Sequence, residues 1–85
     1  MTSDLAQRLG LEATDQGLVV MRVDPSGPAA DAGINQGDVI QEVNRQPVRS
    51  VGDFNVAIAK SGARPALVLI NRRGSVLYLT LRPGS

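Results

Sequence analysis

Nine glycines and five prolines divide this chain of 85 residues into short segments, and this punctuation limits the secondary structure it can form. The apolar segments between these residues are as long as a strand or a few helical turns, and turn-forming residues border them. The longest apolar run, 66–70, is far too short to cross a membrane. We therefore expect one small domain of short strands and helices, since the length leaves no room for two.

Two missing residue types restrict the chemistry of the chain. It contains no Cys and no His, which excludes disulfides, thiolate zinc sites and the usual general base. A Ser-His-Asp or Cys-His catalytic group cannot be built from it. The carboxylates are not clustered at metal-ligand spacing, and the net charge of +1 gives no electrostatic footprint for nucleic acid. We expect no catalysis by this chain, no metal, no cofactor, no nucleic-acid partner and no membrane insertion.

Turn and cap residues predict the elements of the first half of the chain. Thr2 or Ser3 can cap a short helix, Pro28 suits the first position of another, and Gly33 suits its C-terminal stop. The predicted elements are a helix over 3–9, a loop over 11–16, a strand over 17–24, a helix over 28–32 and a strand over 39–44.

Hydrophobic periodicity predicts the second half. Apolar residues at helical spacing, with Val56 in the stripe and Ser50 as cap, indicate a helix over 51–60. The other predicted elements are a turn at 45–46, a return strand at 47–48, and strands over 66–71 and 75–82 joined by a hairpin turn at 72–74. This order predicts an α+β domain, a small and mainly antiparallel sheet or partly open barrel capped by two or three helices.

Two stretches carry a resemblance to a known family. Residues 17–34, GLVVMRVDPSGPAADAGI, and residues 37–44, GDVIQEVN, resemble PDZ domains, above all those of the HtrA/Deg (Do-like) bacterial serine proteases. The similarity continues through 47–54 into the terminal hairpin, so it implies that 1–85 is a single PDZ domain. PDZ domains bind an extended peptide, usually by its free C-terminus, as an added strand between a sheet edge and the long helix.

The resemblance points to a line of groove residues on the long helix. Val51, Asn55 and Ile58 occupy its i, i+4 and i+7 positions and are the candidates that face the peptide. The alternative places Val51 and Ile58 in the core and Asn55 in solvent.

A second group of candidates lies near the N-terminus. Leu9, Gly10 and Leu11 fit the hydrophobic-Gly-hydrophobic form of the family's carboxylate-binding loop, and the alternative is a helix end with Gly10 as its stop. We expect the five residues between Leu11 and Gly17 to be too few for a peptide-pairing strand and a return turn. On the helix-end reading, the domain lacks the strand of its carboxylate loop and leaves a sheet edge open.

Arg45 is a further departure from the family, which usually has Gly at this place in the turn after Asn. Since Arg tolerates a positive φ less well than Gly, we expect a turn of another type.

The function implied by the resemblance is that of a peptide-binding regulatory module in a periplasmic HtrA/Do-like serine endoprotease. Its partners would be hydrophobic C-termini, unfolded protein segments and the protease domain of the parent chain, in protein quality control. The alternatives are a PDZ module of another envelope protease of the site-2 or tail-specific type, a secretion component, or a stand-alone interaction domain.

Overall fold

Six short strands and two helices make up residues 10–82, the part of the chain that the structure, a computed structural model, describes. The predicted helix over 3–9 lies outside these residues. In chain order the elements are β1 (Glu12–Thr14), β2 (Gly17–Val19), α1 (Pro28–Ala32), β3 (Val39–Val43), β4 (Gln46–Pro47), α2 (Val51–Ser61), β5 (Ala66–Arg72) and β6 (Ser75–Leu81).

The strands form one antiparallel sheet. Their order is β1-β2-β3-β5-β6, and β4 pairs with β3 outside this path. The longest pairing joins β5 to β6 from Ala66↔Leu81 to Arg72↔Ser75, and a register shift between Ile40 and Glu42 interrupts the pairing of β3 with β5. The predicted α+β class with a mainly antiparallel sheet is confirmed.

The core is aliphatic except for one ring. Phe54 of α2 is fully buried, and it belongs to one cluster with buried aliphatic side chains of β2, β3 and β5. Alternation along β5 turns Val68 and Ile70 inward, as expected for a strand with one covered face. The remaining buried apolar residues are Leu18, Val20, Ala29, Ile34, Ile40, Val43, Val48, Ala57, Ala66 and Leu81.

The predicted strand over 17–24 is shorter in the structure, where β2 ends at Val19. Beyond this point the N–H of Val20 donates to the carbonyl of Asp38 (2.8 Å), and its carbonyl accepts from the N–H of Gly37 (2.8 Å). These partners lie in the turn before β3. Val20 is therefore bound to this turn, and the strand ends at Val19 rather than at Asp24.

The turn between β3 and β4 corrects two expectations. It is formed by Asn44 and Arg45 rather than by 45–46, because Val43 pairs with Gln46 and β4 covers Gln46–Pro47. Both turn residues have positive φ, 53° and 67°, as type I′ hairpins require. The expected change of turn type at Arg45 was wrong: the two-residue hairpin imposes the left-handed conformation on an arginine.

Candidate functional site

An exposed edge strand replaces the predicted loop over 11–16. Strand β1 pairs with β2 through Glu12↔Val19, Ala13↔Leu18 and Thr14↔Gly17, and within residues 10–82 no strand pairs with its other edge. The five residues between Leu11 and Gly17 accommodate both a strand and a turn, because three of them form β1 and two form the turn. The Oγ1 of Thr14 closes this turn by donating to the carbonyl of Gly17 (3.0 Å) and accepting from the N–H of Gln16 (3.2 Å).

Gly17 lets this hairpin lie close to β3. It has a φ of 143°, and a Cβ built on it would overlap the carbonyl oxygen of Ile40. Leu18 pairs with Ile40 in the adjacent position of the same ladder. A side chain at 17 would therefore push the β1–β2 hairpin away from the sheet.

The N-terminus of α2 is fixed by side-chain capping. The Oγ of Ser50 accepts from the N–H of Asp53 (3.0 Å), as predicted for the cap, and the Oδ2 of Asp53 accepts from the N–H of Arg49 (3.1 Å). These two hydrogen bonds fix the first turn, so the helix begins at Val51 and its rotation about the helix axis is defined. That rotation decides which side chains face the sheet.

The three helix candidates lie beside the core-facing side of α2, which carries the buried Phe54, Ala57 and Ser61. Val51 is 36% exposed, and Ile58 is partly buried against the core. Asn55 is half-buried, and its Oδ1 is buried without a hydrogen-bond partner among the described residues. The predicted stripe was too broad at Val56, which is 55% exposed.

A cleft of ≈ 550 Å³ lies between the β1–β2 turn, β3 and residues 47–49 of and after β4. One acidic and one basic residue, Asp15 and Arg49, contribute opposite charges to it. The lining residues are Thr14, Asp15, Gln16, Gln41, Pro47, Val48 and Arg49.

The loop candidates lie at the opposite end of β1. Leu11 is partly buried and packs against the same core cluster as Ile58, and Gly10 has a φ of 56°. Leu9 lies outside the described residues. The structure therefore places Gly10 and Leu11 directly before the exposed strand, with only Leu11 engaged by the core.

Two neighbours of the candidate loop were not found from the sequence. A Cβ on Gly10 would lie 3.3 Å from the Cβ of Met21 and 3.2 Å from the Nε of Arg22. Extending the pairing of Glu12 with Val19 by two residues puts Gly10 opposite Met21. Only knowledge of β1 and its register could have brought these residues together.

Residues 10–82 contain neither a membrane-spanning helix nor a candidate metal site. In residues 10–82, no helix has the length and apolar character needed to span a bilayer. The same part of the chain holds no group of three or more acidic, His or Cys residues that could bind a metal ion.

An antiparallel sheet that ends in a short exposed strand, together with one short and one longer helix, is the architecture of a PDZ-type domain. Residues 2–70 match the sequence profile described as "PDZ domain", and the chain belongs to this family.

Curated relatives are bacterial proteases. A "Probable periplasmic serine endoprotease DegP-like" of Chlamydia trachomatis is 33% identical over 82 residues, which are 96% of this chain and 16% of the relative. A protein of the same name from Brucella suis is 42% identical over 69 residues, or 78% of this chain and 14% of the relative. A "Probable protease eep" of Enterococcus faecalis is 32% identical over 62 residues, 73% of this chain and 15% of that protein. The chain thus spans about a sixth of the length of the relatives it matches.

Solved structures agree with these relatives. The PDZ domain of HtrA3 bound to a phage-derived ligand, FGRWV, has a TM-score of 0.74 at 27% identity, over 82% of this chain and 65% of that one. The HtrA-type protease AlgW with a decapeptide has a TM-score of 0.70 at 31% identity, over 96% of this chain and 25% of that one. The predicted similarity to HtrA-type PDZ domains is confirmed.

Proposed function

We propose that this domain binds an extended peptide as an additional strand on the free edge of β1. The observation that carries the proposal is that edge itself: Glu12–Thr14 are exposed and pair on one side only within the described sheet. Unpaired N–H and C=O groups on a strand edge are a template for another chain. The HtrA3 and AlgW structures, each with a peptide, support this reading.

Side chains of α2 form the other wall of the proposed groove. Val51 offers exposed apolar surface, Ile58 offers a partly buried one, and Asn55 brings an unpaired acceptor between them. Leu9, Gly10 and Leu11 would receive the C-terminal end of the peptide, since their backbone precedes the edge strand. Apolar side chains on the wall favour a peptide with hydrophobic residues near its C-terminus.

In its parent protein, the domain would regulate a periplasmic HtrA/Do-like serine endoprotease. The DegP-like relatives support this proposal, and their names place them in the periplasm. Without His or Cys, this chain would contribute recognition of C-termini or unfolded segments, while another domain of the parent would supply catalysis.

NMR titration of the labelled 85-residue chain with FGRWV tests peptide binding. We expect the amide shifts to concentrate at 10–14 and 51–58, and the same peptide ending in Asp to bind more weakly. Shifts confined to β6, or none at millimolar peptide, would contradict the proposal.

A matched pair of variants locates the groove. Val51→Asp should weaken FGRWV binding about tenfold, since it puts a charge where an apolar contact is proposed. Val56→Asp changes an exposed valine of the same helix, outside the proposed line, and should leave the affinity unchanged. Equal effects of the two substitutions would place the peptide elsewhere.

A second candidate is a regulatory PDZ module of a different envelope protease. The E. faecalis relative named a probable protease supports it, because it matches 73% of this chain at 32% identity. The coding sequence around this domain decides between the two: an upstream domain with Ser, His and Asp in catalytic positions favours the HtrA type, and membrane-spanning segments favour the other.

A further inference from the structure

Three arginines lie at the end of the sheet where β3 and β6 finish and β5 begins. Arg45 is in the β3–β4 turn, Arg64 lies two residues before β5, and Arg82 directly follows β6. All three are exposed, and their guanidinium groups make no hydrogen bond or ion pair within residues 10–82. We call these three residues the basic end.

The pairing of β5 brings these arginines together. On one side of β5, Asn44 makes two hydrogen bonds to Leu67, and on the other side the pairing with β6 continues to Leu81. Neighbouring strands are about 4.8 Å apart, so the backbones of Arg45 and Arg82 lie about 10 Å from each other across the start of β5. The basic end is therefore a property of the sheet and not of one stretch of sequence.

The backbone that carries Arg64 is also fixed. Its N–H donates to the carbonyl of Ser61 (3.0 Å), and its carbonyl accepts from the Oγ of Ser61 (3.0 Å). Hydrogen bonds thus hold both the turn of Arg45 and the loop of Arg64. A ligand at this end does not have to order the backbone, which lowers the cost of binding.

The positive charge of the basic end is not compensated by neighbouring carboxylates. Residues 54–85 contain five basic residues and no acidic one. Glu42, the acidic residue nearest to Arg45 in sequence, is half-buried in β3 and forms no ion pair in the described part of the chain. At the opposite end of β5 the situation differs, because Arg72 is paired with Asp38.

Arg45 keeps an unfavourable backbone conformation without any visible structural return. Its φ is 67°, which glycine adopts freely and a residue with a Cβ does not. The side chain is exposed and has no polar partner in residues 10–82, so nothing there offsets this strain. Strained residues that folding does not require are typical of binding sites.

The arrangement of the arginines favours one class of anion. They spread over about 10 Å instead of converging on one point, which suits carboxylates three residues apart on an extended chain. Binding to a membrane surface requires apolar area as well as charge. The large apolar side chains that are exposed in residues 10–82 all lie outside the turn and the loop of the basic end; they are Met21, Val51, Val56, Val76 and Tyr78.

We propose that Arg45, Arg64 and Arg82 bind an extended acidic segment of a partner protein. Guanidinium groups suit this partner because they donate to carboxylates in a planar fork. This site does not depend on peptide binding at β1, because β1 and β6 are at opposite edges of the sheet. The domain would thus carry two separate surfaces for polypeptide.

NMR titration of the labelled chain at low salt tests the site. The probe is a peptide of five Glu-Ser repeats, acetylated and amidated so that neither terminus is charged. We expect amide shifts at 44–46, 62–66 and 80–82, and an affinity that falls as salt is added. A peptide with Gln in place of Glu should not bind. Shifts centred on 10–14, or equal binding of the two peptides, would overturn the proposal.

Glutamine variants separate the site from net charge. Arg45→Gln, Arg64→Gln and Arg82→Gln should each weaken binding of the acidic peptide about threefold, and the triple variant about 30-fold. Arg73→Gln is the matched control, since Arg73 is also an exposed hairpin arginine with positive φ. It lies about 20 Å away along β5, beyond the range of screened charges, and should leave the affinity unchanged. An equal loss in Arg73→Gln would overturn the site.

Two further measurements distinguish the partner and keep the two proposals apart. Inorganic phosphate and phosphatidylglycerol vesicles, at the same concentration of negative charge, should bind more weakly than the acidic peptide. Stronger binding of either would overturn the assignment of a polypeptide partner. The triple variant should bind FGRWV as the unsubstituted chain does, so a failure of one proposal leaves the other standing. Loss of FGRWV binding in the triple variant would contradict the independence of the two surfaces.

Discussion

The guanidinium of Arg72 donates two parallel hydrogen bonds to the carboxylate of Asp38, from Nε to Oδ1 (2.9 Å) and from Nη2 to Oδ2 (2.8 Å). Asp38 is 2% exposed, and the N–H of Asn35 also donates to its Oδ2 (2.8 Å). The same Nη2 reaches the carbonyl of Gly33 at the C-terminus of α1 (2.8 Å). One arginine of β5 thereby joins the end of α1 to the turn before β3.

This pair makes stability depend on pH in the acid range. Burial by itself raises the pKa of Asp38, but the hydrogen bonds from Arg72 and Asn35 and the charge of Arg72 hold the pKa below its ordinary value of 3.8. A carboxyl with a depressed pKa contributes stability above its unfolded pKa and loses it as the pH falls through the folded one. Urea unfolding should therefore show the free energy of unfolding falling as the pH drops below about 4.

Asp38→Asn tests the origin of this acid sensitivity. At neutral pH it should lower the free energy of unfolding by about 2 kcal/mol, because an amide cannot accept both donors of Arg72. Its stability should then fall less steeply in acid. Arg72→Gln should also flatten the acid profile, and Arg73→Gln should not. An unchanged profile in Asp38→Asn would contradict this assignment.

Arg45→Gly should stabilise the protein. The positive φ of 67° at Arg45 is unfavourable for a residue with a Cβ and free for glycine. Glycine also has the larger entropy in the unfolded chain, which offsets part of this effect. We expect the free energy of unfolding to rise by about 0.5–1 kcal/mol, measured by thermal or urea unfolding.

The control for this turn variant is Arg64→Gly, since Arg64 is exposed and is not among the residues of positive φ within 10–82. It should lower stability slightly through chain entropy alone. The same sign of change at both positions would mean that backbone strain at Arg45 is absent.

Strong local patterns predicted the long helix and the terminal hairpin. The helix over 51–60 ends one residue later in the structure, and the strands over 66–71 and 75–82 each shift by one residue at one end. Caps and alternating side chains are properties of the local sequence, so they could be read directly.

Tertiary pairing explains what the sequence could not reveal. All three residues of β1 are exposed, so the strand has no apolar alternation to find. Two hydrogen bonds to Leu67 of β5 stabilise the turn at Asn44–Arg45. The carbonyl of Leu67 accepts from the N–H of Asn44 (2.6 Å), and the N–H of Leu67 donates to the Oδ1 of Asn44 (2.9 Å). The approach of Arg22 to Gly10 likewise depends on the register of β1.

Two glycine-to-alanine substitutions should have opposite effects. Gly17→Ala would put a Cβ onto the carbonyl oxygen of Ile40, at a residue whose φ is 143°. We expect the free energy of unfolding to fall by about 3 kcal/mol. Gly52→Ala adds a Cβ in ordinary contact, 3.7 Å from the Oγ of Ser50. It should raise the free energy of unfolding by about 0.5 kcal/mol, because alanine has the higher helix propensity. Urea unfolding measures both, and a Gly17→Ala variant as stable as the original would show that the hairpin shifts freely.

Asn55→Leu should raise the stability of the free domain and weaken its binding of peptide. The buried Oδ1 of Asn55 has no hydrogen-bond partner within residues 10–82, and an apolar side chain of similar shape removes this penalty. We expect a gain of about 1 kcal/mol in the free energy of unfolding. Asn35→Leu, at an exposed position, should change stability by less than about 0.5 kcal/mol.

Peptide affinity separates a structural from a binding role of this amide. If the peptide supplies the missing donor, Asn55→Leu should weaken FGRWV binding about fivefold, although the fold is more stable. A variant that is stabilised and binds with unchanged affinity would place Asn55 outside the groove. A variant that is destabilised would mean that the amide has a partner in the folded domain, because an isosteric apolar replacement then leaves that partner unpaired.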